Sequence, residues 1–203
     1  MRALDALLRA TDRISHWAVW GGGILMLLAA FLVSAEVLLR KLLLISLGGA
    51  DELSGYAFAI GTAWALSFTL LRRAHVRVDA LYGVLPQRLR AVLDIAALVS
   101  LAVFASLLAW HAAAMWETSW AFEARATTPL QTPLWIPQGL WVLGLALFVL
   151  VTAALLLRTA LALLGGDLAR VRALAGARTI EEDAADEAAI GAEIRTTPDS
   201  LRD

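Results

Sequence analysis

The chain has 203 residues, 60% of them hydrophobic, and a mean hydropathy of +0.73. Soluble domains are about 45–50% apolar, so the excess calls for an apolar solvent, and a net charge of −1 with charges clustered between long uncharged stretches is the pattern of a membrane protein. No cysteine is present, which excludes disulfides, thiolate catalysis and cysteine-ligated metals.

Residues 1–16 carry Arg2, Arg9 and Arg13 and read as a polar segment ahead of the first span. A helix needs about 20 residues to cross the hydrocarbon core, and four stretches qualify. The first, 17–39, is uncharged until Glu36, with Trp17 and Trp20 where it enters. Val33-Ser34-Ala35 resembles a signal-peptidase site, but the apolar run before it is longer than a signal h-region, so a retained span is expected. Residues 42–45 are apolar and should lie in the interface. Gly48 and Gly49 then break the chain, and Asp51 and Glu52 precede the second span, where acidic groups complement the helix dipole.

The second span, 53–71, contains no charge. The loop after it carries Arg72, Arg73, Arg77, Arg88 and Arg90, with Val76, Val78, Leu81 and Leu85 between them, a short amphipathic segment ended by Pro86. The third span, 92–116, holds only Asp94, four residues after Arg90 and placed to pair with it. Trp116, Trp120 and Trp135 flank the third loop at headgroup depth, whereas Trp64 and Trp110 lie deeper and read as packing residues. The fourth span, 135–157, is free of charge, with Pro133 and Pro137 at its start, where proline is tolerated. None of the four shows β alternation, so the fold class is all-α, a four-helix transmembrane domain over 17–164. From 165 the composition changes. Residues 179–203 hold eight acidic groups and little apolar bulk, which predicts a disordered acidic tail over 165–203.

Arginine and lysine fix the orientation. The N-terminus, the second loop and the C-terminal segment together hold fourteen basic residues, against Arg40, Lys41 and Arg125 on the other side. Both termini are therefore expected in the cytoplasm.

Charges within a span default to functional hypotheses. Glu36 and Arg40 share a helix face at i,i+4 spacing, which fits a local ion pair or, equally, contact with a partner helix. His16 and His111 fall at opposite depths and His75 in a loop, so a bis-histidine haem site is disfavoured. The spans lack the broken-helix pattern of secondary transporters. No phosphate-binding loop, zinc spacing or nucleophile constellation occurs, so no cofactor, metal, nucleic-acid partner or enzymatic activity is expected.

At this level the sequence resembles the small membrane subunit (DctQ-type) of tripartite ATP-independent periplasmic (TRAP) transporters. The residues that carry the resemblance are Glu36-Val37-Leu38-Leu39-Arg40, Asp51-Glu52-Leu53 and Arg73-Ala74-His75-Val76-Arg77-Val78-Asp79. Leu85-Pro86-Gln87-Arg88-Leu89-Arg90, Gln131-Thr132-Pro133 and Ile136-Pro137 complete it, over about residues 10–160. Lys41 departs from the pattern, standing where an aromatic commonly follows the arginine. The resemblance implies a bacterial inner-membrane complex for uptake of an organic acid. A large sodium-coupled permease subunit would move the substrate by an elevator-like mechanism, and a periplasmic binding protein would deliver it. This subunit would brace the large one, with Glu36, Arg40, Asp51, Glu52, Arg73, His75, Arg77 and Asp79 as partner-interface or structural motifs. The competing readings are a membrane anchor for a redox enzyme, which would carry haem or quinone, and an independent small channel or exporter, which would want a polar helix face.

Overall fold

A computed structural model describes residues 2–46, 48–73 and 86–176 and, beyond them, Ala184 and Ala188. Five helices follow in chain order: α1 (Arg2–Leu43), α2 (Ala50–Leu71), α3 (Gln87–Ala121), α4 (Trp135–Leu164) and the short α5 (Leu168–Ala175). No strand occurs among the described residues, where a single β-bridge joins Arg125 to Pro133.

Four of these helices are long and apolar enough to cross a bilayer: Ala6–Leu43, Ala50–Leu71, Leu89–Ala121 and Trp135–Leu164. In hydrocarbon every backbone N–H and C=O must be satisfied within the segment, and a continuous helix does this. Two hydroxyls in the fourth span are satisfied the same way: Thr152 and Thr159 donate to the carbonyls of Phe148 and Leu155 one turn back, at 2.7 and 2.8 Å.

The helices outrun the expected spans. α1 has 42 residues, about 63 Å at 1.5 Å per residue, roughly twice the core thickness. The segment 1–16, expected ahead of the first span, is from Arg2 onward part of this same helix. Its inward stripe explains why. Leu8, Ser15, Gly22, Ala29 and Glu36 recur every seventh residue, and Leu8, Ser15, Gly22 and Glu36 are buried. A seven-residue repeat keeps one seam of a helix against its neighbour over a long distance.

That neighbour is α2. At the crossing, a Cβ on Gly22 would stand 3.1 Å from the Cα of Gly61, so the two backbones touch there. α2 packs in turn on α4, where Gly144 lies against Trp64 and Ala63, and α4 packs on α3. The result is an open row, α1–α2–α4–α3, with a lighter contact of α1 on α4. Burial follows the row: 39% of the most apolar window of α4 is buried but 6% of that of α1. The main apolar cluster joins Leu8, Leu70, Leu98, Ala105, Phe148, Val151 and Leu155.

Two expectations need correction. Trp110, expected to pack deep in the protein, is 74% exposed on α3, facing the surroundings of the row. The change of composition at 165 does not begin an unstructured tail. Asp167 caps α5, accepting the Arg170 N–H at 2.9 Å. Val171 and Ala175, four apart, are buried against α3 and α4. Residues 177–203, the acidic run among them, lie outside the described residues, apart from Ala184 and Ala188.

Candidate functional site

Glu36, one of the expected site residues, is 3% exposed near the end of α1. A carboxylate there needs donors, and the chain supplies them. Arg40, one turn on, donates through Nη2 at 2.7 Å and Nε at 3.3 Å to Glu36 Oε1. The Ser46 hydroxyl donates to the same oxygen at 2.7 Å. α1 ends at Leu43, and Leu44 takes a left-handed φ of 57°, which turns the chain so that Ser46 returns toward Glu36. The Gly48 N–H then donates to the Ser46 hydroxyl at 3.2 Å.

The second carboxylate, Glu52 in the first turn of α2, is likewise buried. Tyr56, one turn on, donates its hydroxyl to Oε1 at 2.8 Å, and the Thr128 hydroxyl donates to Oε2. Each acid therefore ties down a loop: Glu36 holds the turn after α1 through Ser46, and Glu52 holds 122–134 through Thr128. Between them is a cavity of about 210 Å³ lined by Glu36, Arg40, Ser46, Asp51, Glu52 and Thr128, among others. Asp51, beside it, stays exposed.

Four of the eight expected residues, Glu36, Arg40, Asp51 and Glu52, thus meet at one end of the row. Arg73 does not join them. It follows the opposite end of α2 with a left-handed φ of 55°, about 30 Å from Glu52 along the helix. His75, Arg77 and Asp79 lie outside the described residues. At that arginine-rich end a further contact appears: Arg72 stands 3.7 Å from Asp12 of α1 and lies over the Phe68 ring at 5.2 Å.

Ser46, Tyr56 and Thr128 were not anticipated. Tyr56 was open to inference, since it stands at i+4 from Glu52 in a helix. Ser46 and Thr128 were not, because their contacts depend on the path of two loops.

Chemically the site is a set of satisfied acceptors that fixes loop geometry. Among the described residues no group of three or more His, Asp or Glu is placed to hold a metal.

Residues 29–162, more than half of the chain, match the family model described as Tripartite ATP-independent periplasmic transporters, DctQ component. No curated protein and no solved structure gives a significant match. The matched segment runs from the middle of α1 to the last turn of α4 and takes in both carboxylates with the loops they hold. With four spanning helices in the fold, this multi-pass membrane chain belongs to the DctQ family, as the small permease subunit of a tripartite ATP-independent periplasmic transporter.

Proposed function

We propose that this subunit braces the large, sodium-coupled permease subunit in the bacterial inner membrane, for uptake of an organic acid delivered by a periplasmic binding protein. The observation that carries this reading is the open row. α1 and α3 stand at its edges and leave long apolar flanks uncovered, among them Trp17, Phe31 and Leu42 on α1 and Val103, Phe104 and Leu107 on α3. An open row of that kind suits lateral attachment to a larger membrane body better than it suits enclosing a pathway. Both termini lie in the cytoplasm in this reading, supported by the fourteen-to-three distribution of basic residues.

Within the site, Glu36, Arg40 and Glu52 act as loop staples. Exposed Asp51 and the Arg73–Asp79 stretch, with His75 and Arg77, are the motifs left to meet the large subunit.

Uptake and co-purification test the reading together. Deleting this subunit should abolish uptake, and a tagged copy should retain the large subunit in detergent. Calorimetry of the isolated subunit with organic acids should show no saturable heat. Micromolar binding to this chain alone would contradict the bracing role. A cytoplasm-dependent reporter should be active after Leu85 or Arg178 and silent after Ala126, and the reverse pattern would invert the topology.

A further inference from the structure

The loop 122–134 builds a pocket that the bracing role does not use. α3 ends in a turn that normally takes glycine. The Glu123 N–H donates to the Trp120 carbonyl at 3.3 Å and the Ala124 N–H to the Ser119 carbonyl at 3.0 Å, with Glu123 in the left-handed region at φ 47°. The loop then closes on itself. The Ala126 N–H donates to Thr132 O at 3.0 Å and the Leu134 N–H to Ala124 O at 2.9 Å.

Two tryptophans wall the pocket. Trp120, in the last turn of α3, and Trp135, the first residue of α4, meet edge to face, with centroids 4.7 Å apart and ring planes at 73°. Trp116 supports them, its indole N–H donating to Trp135 O at 3.0 Å. Glu123, Arg125 and Pro133 complete a cavity of about 310 Å³. Arg125 is held by a 3.3 Å bond from Nη1 to Gln131 O. Among the described residues neither Glu123 nor Arg125 has an ion-pair partner.

Aromatic faces set at an angle beside a carboxylate attract a cation, and alkylammonium groups in particular. A guanidinium a few residues away on the same rim takes a phosphate. The pocket lies where α3 ends and α4 begins, at the level of lipid headgroups. We propose that it binds the headgroup of a zwitterionic phospholipid, with the ammonium against the Trp120–Trp135 pair beside Glu123 and the phosphate on Arg125. An ordinary belt tryptophan selects a depth in the bilayer. The pair of opposite charges beside this aromatic pair selects a headgroup.

The shared chemistry, an ammonium linked to a phosphate, also occurs in soluble phosphoethanolamine, so the test separates the two sources. The full chain is placed in nanodiscs of phosphatidylglycerol containing a minor fraction of phosphatidylethanolamine. Lipids that stay bound on delipidation are then weighed by native mass spectrometry. The ethanolamine lipid should be enriched roughly tenfold over its bulk ratio. Glu123→Gln and Trp120→Ala should return it to the bulk ratio, whereas Trp110→Ala, at an exposed position outside the pocket, should leave the enrichment intact. Glu123→Gln preserves side-chain shape, so its effect stands if Trp120→Ala fails to fold. Retention of both lipids in their bulk ratio, or enrichment that survives both pocket variants, overturns the proposal. Saturable quenching of tryptophan fluorescence by soluble phosphoethanolamine in lipid-free detergent, without lipid enrichment, overturns the lipid as its source.

Discussion

The three consecutive glycines Gly21, Gly22 and Gly23 in α1 offer a test of the row's first seam, because the helix turns them to different surroundings. A Cβ added at Gly21 or Gly23 meets nothing within 4 Å, whereas at Gly22 it would stand 3.1 Å from the Cα and 3.3 Å from the carbonyl oxygen of Gly61. Those neighbours are backbone atoms of α2 and cannot rotate away. Alanine in place of helical glycine gains up to about 1 kcal/mol in propensity at any of the three positions. Overpacking a tight contact costs about 1–3 kcal/mol. The propensity gain cancels when the variants are compared with one another. Gly22→Ala should therefore be less stable than Gly21→Ala or Gly23→Ala by the packing cost alone, about 1–3 kcal/mol. Unfolding in mixed micelles with rising sodium dodecyl sulfate, followed by circular dichroism, reads the difference. Equal midpoints for all three variants would mean that α1 and α2 do not touch at Gly22, and the row would have to be redrawn.

Four further outcomes follow from the carboxylate staples, α5 and the segment after it. Arg40→Ala should lower the unfolding midpoint more than Glu36→Gln, because it strips a guanidinium from a carboxylate that stays buried; the opposite order would show that the Glu36 charge is compensated elsewhere. Thr128→Val keeps the side-chain shape but removes a donor to Glu52, so hydrogen exchange over 122–134 should rise about tenfold, and unchanged protection would show the loop fixed by its backbone alone. Val171, fully buried, should cost about 2 kcal/mol when cut to alanine. Truncation after Gly176 should leave the unfolding free energy within about 0.5 kcal/mol of the parent, and a larger fall would show that the acidic segment is part of the fold.

Much of the fold was legible because hydrocarbon is an undemanding reader. Length and apolarity alone place four helices, and each expected span falls inside an observed one. What the spans could not disclose was where the helices stop, since α1 and α3 continue past the core on packing and propensity that hydropathy does not register. Trp110 shows the same limit from the other side. In water a deep tryptophan should be buried, but in lipid an exposed indole has no such penalty, so depth said nothing of which way the ring faces. At the site, the Glu36–Arg40 pair was visible as i,i+4 spacing. The role of Glu52 was not: first-turn position suggested dipole capping, while its hydroxyl donor Thr128 comes from a loop 76 residues away. α5 was missed because only Val171 and Ala175 of its eight residues are buried, with Leu168 packed beside them, too short a stripe to stand out beside an acidic run.

A single-file arrangement also dictates how the molecule comes apart. In a closed bundle each helix leans on two neighbours, and loosening one loosens all. Here α1 meets the remainder mainly along one line, from Leu8 through Ser15 to Gly22. That line can part like a zip while the α2–α4–α3 trio keeps its contacts. Opening free energies should accordingly be graded along the file, least at the outermost helix and greatest at α4. Whatever grips the flank of α1 in the membrane then holds the zip shut, so occupancy of that flank and rigidity of the subunit rise and fall together.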